Sequence, residues 1–149
     1  MKIRKASLSD LDTIVDFNLC LAQETEQKQL DQETVTKGVA NLLSNPSRGE
    51  YFVAEIDDSV VGQLMYTNEW SDWRNGNILW IQSVYVHRDY RRRGVFRALC
   101  EHLHRYADES TDAIGLRLYV EVNNSNAQAT YENLGFDTPG YAVMERLFR

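Results

Sequence analysis

The sequence predicts an α/β fold, because segments with the apolar period of a helix alternate with segments that have the period of a strand. Its 149 residues suit one buried core and are few for two. Hydrophobic residues make up 43% and charged residues 26% of the chain, values that are typical of a folded globular protein. We therefore expect one domain over residues 1–149.

Two amphipathic helices are predicted in the first third of the chain. Ser7 and Asp10 are suited to begin the first helix, and apolar residues then recur at helical spacing. The polar stretch 23–28 indicates a frayed helix end or an exposed loop. Asp31 is suited to cap the second helix, which Pro46 ends.

Three strand-like runs follow these helices. Residues 51–56 and 60–66 are separated by turn-forming residues, and this arrangement predicts an antiparallel hairpin. After a polar loop at 70–77, residues 78–86 form a long apolar and β-branched run. Such a run is typical of a central strand.

The last third predicts two helices and two strands. A helical period over 95–107 predicts a third helix, and strict alternation over 114–122 predicts a strand. Residues 125–134 predict a fourth helix that ends at Gly135. Residues 141–148 predict a final strand.

Charge and composition limit the possible partners. The formal net charge is −6, which argues against a nucleic-acid partner and favours a cationic substrate. No run of about 18 uncharged apolar residues occurs, so we expect no membrane segment and a cytoplasmic protein. The three histidines lack neighbours at metal-ligand spacing, and we predict no metal.

A basic turn, Arg91-Arg92-Arg93-Gly94, joins the central strand to the third helix. Unpaired backbone N–H groups at a helix N-terminus bind phosphate groups together with the helix dipole, and arginines add positive charge. A solvated turn has the same composition. Taken alone, the turn therefore leaves an anion site and a plain surface turn both open.

A second motif spans residues 123–136, after the alternating strand. Asn126 is suited to cap the helix or to bond a ligand amide, and Tyr131 lies five residues further on. A core aromatic would explain Tyr131 equally well.

In this order the two motifs resemble the GNAT family of acetyl-CoA-dependent N-acetyltransferases. The first motif of the family is an Arg or Gln, followed by a Gly three residues later and by a Gly or Ala two residues after that Gly. The second motif is an Asn and a Tyr that precede a Gly-Phe pair. Residues 69–94 look most like the polyamine and diamine branch. The resemblance implies a mixed, mostly antiparallel sheet of about six or seven strands, about four flanking helices and a homodimer.

The resemblance also implies roles for particular residues. Tyr131 would protonate the departing thiolate of coenzyme A, a step that contributes about 10²–10⁴-fold. Phe96 departs from the family, which prefers a small residue where the helix approaches the diphosphate. The residues expected to bind acetyl-CoA are Val84 and Val86 through their backbone, and Arg91, Arg92, Arg93, Gly94, Val95, Phe96 and Asn126.

The acceptor amine must lose a proton before it attacks, since alkylamines are mostly protonated at neutral pH. In the polyamine branch a carboxylate on the central strand is the proposed base, but Gln82 stands at the matching position and cannot take a proton. The alternatives are a base that acts through a water molecule, or direct proton transfer to Glu69 or Asp72.

Acidic and aromatic residues are expected near the acceptor cleft, although surface solvation, turn capping, core packing or a dimer contact would explain each of them. They are Glu24, Glu26, Glu69 and Asp72, with Trp70, Trp73 and Trp80 as walls and Gln82 on the strand.

Three interpretations of function remain at this level. We prefer acetyl transfer to a small cationic amine. Transfer to a protein N-terminus or a lysine side chain is the second, and a non-catalytic module that binds acyl-CoA is the third. Tyr131 in its motif favours catalysis, whereas Phe96 and Gln82 leave the binding module open.

Overall fold

The computed structural model describes residues 1–149 and contains a five-stranded sheet in the order β1 to β5. Neighbouring strands are antiparallel from β1 to β4, and β5 is parallel to β4. The predicted α/β class, with a mixed and mostly antiparallel sheet and four helices, is confirmed. The elements are β1 (Lys2–Lys5), α1 (Leu11–Glu26), α2 (Gln32–Leu43), β2 (Gly49–Ile56), β3 (Ser59–Ser71), β4 (Gly76–Val86), α3 (Val95–Asp108), β5 (Ala113–Leu118) and α4 (Ser125–Asn133).

Most helices and strands lie where the sequence predicts them. The predicted hairpin is β2 and β3, and the predicted central strand is β4. The polar loop is shorter than expected, because β3 runs to Ser71 and β4 begins at Gly76. Helix α1 continues through Glu26 and ends at Gln27, which has a left-handed φ of 53°. The polar stretch after the apolar pattern is therefore mostly helical.

The sheet has five strands, so the prediction of about six or seven strands is too high. Strand β5 ends at Leu118 rather than Val122, and residues 141–148 form no strand. Pairing between β4 and β5 stops at Ile81 and Leu118, so the residues that follow Leu118 have no ladder to join. Strand propensity alone does not form a strand, because most of its stabilisation comes from a neighbouring strand.

The chain divides into two compact units, Met1–Leu118 and Tyr119–Arg149. The first contains the sheet with α1, α2 and α3. In the second, Asn124 rather than Asn126 caps α4, since its side chain accepts a hydrogen bond of 3.1 Å from the Ala127 N–H. Gly135 follows α4 with a φ of 89°. None of the four helices is long and apolar enough to span a bilayer.

The sheet of the first unit carries helices on both faces. Tyr51 and Val53 of β2 pack with Ile14 of α1 and Val39 of α2 in one buried cluster. Phe52 lies between them in sequence and contacts His102 of α3, with ring centroids 4.7 Å apart. Successive residues of a strand point to opposite faces. Therefore α1 and α2 cover one face, and α3 covers the other.

A partly buried ion pair attaches the start of α1 to the edge of the sheet. Asp10, which is 5% exposed, accepts hydrogen bonds of 2.8 and 2.9 Å from Arg4 of β1, and Arg4 also pairs with Glu55 of β2. The bonds from Arg4 lower the pKa of Asp10 and outweigh the opposing effect of burial.

Gly49 occupies a position that excludes a side chain. Its φ is 144°, and a Cβ would lie 1.9 Å from the carbonyl oxygen of Tyr66. We expect Gly49→Ala to lower the free energy of unfolding by at least about 2 kcal/mol, since both backbone strain and a clash with main chain result. Urea denaturation of the full chain measures this change.

The matched control is Gly38→Ala in α2, where no atom lies within 4 Å of the added Cβ. This variant is expected to gain about 0.5–1 kcal/mol, because Gly is a poorer helix former than Ala. Equal unfolding midpoints for the two variants would contradict the prediction.

Candidate active site

The separation of β4 from β5 exposes a strand edge. The last pair is Ile81 with Leu118, whereas β4 continues to Val86. The main chain of residues 82–86 therefore has no β5 partner. Val84 and Val86, which were predicted to pair with the pantetheine arm, both lie on this stretch. An extended ligand can bind such an edge in the manner of an added strand.

A distortion in β4 lies within the same stretch. Ser83 has a left-handed φ of 49°, and the β3–β4 register shifts between Gln63 and Met65. The Ser83 carbonyl accepts a hydrogen bond of 3.1 Å from the Gln63 amide. Because N–H and C=O point in opposite directions across a trans peptide, the Val84 N–H points away from Gln63. The distortion thus sets the direction of a backbone donor.

Gln63 is the centre of a polar network in an otherwise apolar sheet. Its side chain is fully buried and donates to Asn18 Oδ1 at 2.9 Å as well as to Ser83. Asn18 in turn donates to the Tyr51 hydroxyl at 3.0 Å. Burial raises the pKa of that hydroxyl, so Tyr51 stays neutral. The network connects α1, β2, β3 and β4.

A cleft of about 400 Å³ lies between α1 and α2, above this network. Its polar residues are Asn18, Thr25, Glu26 and Ser83. Ser83 is the residue through which the cleft reaches β4. The remaining lining is predominantly apolar and consists of Leu21, Ala22, Leu30, Val35, Gly38, Val39, Leu42, Tyr51 and Met65.

The predicted anion turn directly precedes α3, which begins at Val95. Arg92 and Gly94 both have a positive φ, of 62° and 78°. The first turn of α3 contains no acidic residue, and Arg93 lies over the Tyr90 ring at 5.1 Å. Unpaired N–H groups and guanidinium charge are what a diphosphate requires. These residues therefore fit the phosphate groups of a nucleotide-containing substrate.

Two hydrophobic side chains follow Gly94. The Val95 side chain is buried, so only its backbone N–H is available to a ligand at the turn. Phe96, the departure from the family pattern, is half-buried and makes contacts within the protein.

Arg91 points its side chain toward the protein rather than along the turn. Its Nε donates to the Val86 carbonyl at 2.9 Å, and Nη2 donates to Glu24 at 2.5 Å. Glu24 also accepts a bond of 2.8 Å from the Tyr85 hydroxyl. Partial burial acts to raise the pKa of Glu24, but the bonds from Arg91 and Tyr85 outweigh it and lower the pKa. Glu24 is thus held ionised beside Arg91.

Of the other residues predicted around the acceptor, Glu69, Trp80 and Gln82 share one face of β3 and β4, but none of them lines the cleft. Glu69 is paired with Arg117 at 2.7 Å, and Arg117 lies over the Trp80 ring at 5.6 Å. Gln82 donates to the Thr67 hydroxyl at 2.6 Å. Glu26 is the predicted acidic residue that lines the cleft.

The remaining residues that were predicted to lie near the acceptor belong to the loop predicted between β3 and β4. They lie at or beside the turn that joins these two strands. Trp70 and Trp73 are exposed, and Asp72 accepts a hydrogen bond of 2.9 Å from the Trp73 N–H. These residues do not line the cleft.

The second unit carries the remaining predicted residues. Asn126 and Tyr131 both lie on α4, where the Asn126 carbonyl accepts from Thr130 at 2.9 Å. The Tyr131 ring is half-buried and meets Phe136 edge-on, with ring centroids 5.8 Å apart. The structure places no group of three or more His, Cys, Asp or Glu residues where they could hold a metal ion.

The residues that form the polar network were not among those predicted from the sequence. Gln63 stands in the apolar run 60–66, and Ser83 stands in the apolar run 78–86. A polar residue inside such a run was the available signal, because a buried polar group requires a specific partner. The partners themselves, Asn18 and Tyr51, gave no comparable signal.

The chain is similar to known acetyltransferases over most of its length. A family model described as "Acetyltransferase (GNAT) family" matches residues 13–136. The N-alpha-acetyltransferase of Sulfurisphaera tokodaii is 30% identical over 144 residues, which cover 91% of this chain and 79% of that protein.

Solved structures agree with this similarity. A possible acetyltransferase from Clostridium difficile 630 is 50% identical, with a TM-score of 0.94 and coverage of 99% of this chain and 97% of that one. A predicted acetyltransferase from Clostridium acetobutylicum, solved with acetyl-CoA, is 18% identical with a TM-score of 0.78, covering 97% and 95%. At that identity the likeness is one of fold.

Replacement of Gln63 tests the polar network. Gln63→Leu leaves the Ser83 carbonyl and Asn18 without the donor that they share, and we expect a loss of about 1–3 kcal/mol in the free energy of unfolding. Urea denaturation gives the value. The control, Gln82→Leu, removes a donor from the Thr67 hydroxyl at a half-buried position, and its expected loss is below about 1 kcal/mol. A larger loss for Gln82→Leu would contradict the central place of Gln63.

Proposed function

Because the chain belongs to the GNAT acetyltransferase family and is an acyl-CoA-dependent acetyltransferase, we propose that its acceptor is the α-amine of a peptide or protein N-terminus. One observation carries this proposal. The cleft between α1 and α2 is mostly apolar and reaches β4 at Ser83, beside the strand edge expected to bind the pantetheine arm. An α-amine next to an apolar side chain suits such a cleft.

Acetyl-CoA is assigned to the edge and turn of the first unit. The family uses acetyl-CoA, and the main chain of Val84 and Val86, which has no β5 partner, suits its amide-containing arm. At Val86 the carbonyl already accepts a hydrogen bond from Arg91. Arg92, Arg93 and the N–H groups that follow Gly94 suit its phosphates. The side chain of Arg91 is engaged with Glu24, so its backbone is the part that we assign to the turn. Asn126 stays a predicted contact on α4.

We propose direct transfer between the two substrates. The neutral amine attacks the thioester carbonyl carbon, the new C–N bond forms, and the C–S bond breaks. The Val84 N–H is assigned to the carbonyl oxygen as negative charge develops there, the position where an oriented donor has most effect. Tyr131 gives its proton to the departing thiolate.

The proton of the attacking amine needs a separate acceptor. Gln82 cannot take it, and Arg117 holds the Glu69 carboxylate. Glu26 lines the cleft, and we assign it this proton, directly or through solvent. Its ion pair with Lys28, at 2.7 Å between exposed side chains, is weak enough to exchange.

A small cationic amine is the second candidate acceptor. Glu26 in the cleft and a net charge of −6 favour it. However, arginines already hold Glu24 and Glu69, so the cleft offers one carboxylate rather than a row of them. One carboxylate suits one ammonium group better than a polyamine.

We also propose that both compact units act as one catalytic domain, since the family match at 13–136 spans parts of each. Homodimerisation and a cytoplasmic location stay predictions from the sequence.

The acceptor is tested by release of coenzyme A thiol from acetyl-CoA. Peptides with a free α-amine on Met or Leu are expected to give kcat/KM values at least about tenfold above those of spermidine, diamines and N-blocked, lysine-containing peptides, because burial of an apolar side chain adds about 1–3 kcal/mol. Formylated versions of the same peptides are the control. Release with polyamines alone would favour the second candidate.

Tyr131→Phe tests the general acid. Loss of the phenol proton is expected to lower kcat by about 10²–10⁴-fold, while the dissociation constant for acetyl-CoA, measured by calorimetry, changes little. Tyr141→Phe, at an exposed tyrosine of the same unit, is the matched control and retains full turnover. Turnover of Tyr131→Phe at the level of this control would remove Tyr131 from the mechanism.

A further inference from the structure

Glu24 connects two parts of the first unit that are distant in sequence. It lies two residues before Glu26, the last residue of α1, and it accepts hydrogen bonds from Arg91 and from Tyr85 of β4. Arg91 is fixed further by its bond to the Val86 carbonyl and by its position over the Tyr85 ring, 5.5 Å from the centroid. The end of α1 is thus attached to the turn that precedes α3.

The two residues that follow Glu24 belong to the acceptor cleft. Thr25 and Glu26 both line it, and α1 ends there. Arg91 is the first residue of the anion turn. One ion pair therefore joins the wall of the cleft to the turn assigned to the phosphates of acetyl-CoA.

We propose that Glu24 is a positioning residue that couples the acceptor cleft to the anion turn through Arg91. The inference rests on the proposed function, since it requires acetyl-CoA at the turn and an amine in the cleft. Glu24 does not touch the acceptor in this arrangement. It holds the last turn of α1, and so Thr25 and Glu26, at the distance from β4 that the acceptor requires.

The size of the effect follows from the exposure of the pair. The side chains of Glu24 and Arg91 are 40% and 43% exposed, so solvent screens their attraction. The loss of such a pair changes an equilibrium by up to about fivefold. The contact positions the wall of the cleft, and a proton acceptor that acts through solvent tolerates a small displacement of Glu26. This change therefore falls on the KM for the acceptor rather than on kcat.

A double-mutant cycle tests the coupling. Glu24→Gln removes the charge and keeps an oxygen for the Tyr85 hydroxyl, and Arg91→Gln keeps a residue that the family motif accepts. Each single variant is expected to raise the acceptor KM about three- to fivefold with kcat within about twofold of wild type. The double variant is expected to match either single one. Additive effects in the double variant, or an unchanged KM in Glu24→Gln, would overturn the proposal.

Asp16→Asn is the matched control, since it removes one negative charge from an exposed position of the same helix. Its acceptor KM is expected to equal that of wild type. A rise equal to that of Glu24→Gln would assign the effect to net charge and overturn the proposed tether.

Hydrogen exchange separates this proposal from the proposed function, because it needs no acceptor. Amides of residues 24–28 are expected to exchange faster in Glu24→Gln and Arg91→Gln than in wild type and Asp16→Asn. Equal exchange in all four proteins would overturn the tether. If no amine releases thiol from the wild-type enzyme, the proposed function fails, and faster exchange in the two variants still supports the tether.

Discussion

The parallel pairing of β4 and β5 ends at Ile81 and Leu118, and the organisation of the candidate active site depends on that end point. Beyond it β4 continues for five residues with no β5 partner, and it then leads toward the turn at Arg91 and into α3. A strand edge and a helix N-terminus both present backbone groups that hydrogen bond a ligand. Their succession along one short segment suits a long substrate with amides at one end and phosphates at the other.

A buried polar network controls the shape of that edge. Gln63 holds the Ser83 carbonyl and Asn18 together, and Asn18 holds Tyr51. Hydrogen bonds within the network offset the cost of burying these polar groups, and Gln63 Oε1 is the buried side-chain atom that is left without a partner. A residue with a left-handed φ persists only where its surroundings enforce it. The amide of Gln63 is the neighbouring group that does so at Ser83.

Ion pairs determine which acidic residues remain available to a substrate. The net charge of −6 suggests a cationic partner, but total charge does not say where the charges act. Glu24 and Glu69 both pair with arginines, whereas Glu26 lies in the cleft and pairs with the exposed Lys28. This is the basis on which we propose an acceptor with one amine and an apolar neighbour rather than a polyamine.

The sequence by itself determined the local elements and the family resemblance. Helical period, strand alternation and turn residues act over a few positions, so α1 to α4, the β2–β3 hairpin and the passage from β4 through the basic turn to α3 were all predictable. The family resemblance needed only the order of two motifs along the chain, the turn at Arg91–Gly94 and then the motif with Asn126 and Tyr131.

Only the tertiary structure decided where pairing stops and which side chains meet. Residues 119–122 and 141–148 have the composition of strands but no partner, because a strand depends on a neighbour that its own sequence does not specify. The partners of Glu24 and Gln63 lie 67 and 45 residues away along the chain, in Arg91 and Asn18. Contacts at such separations arise from the packing of whole elements, and local periodicity carries no information about them.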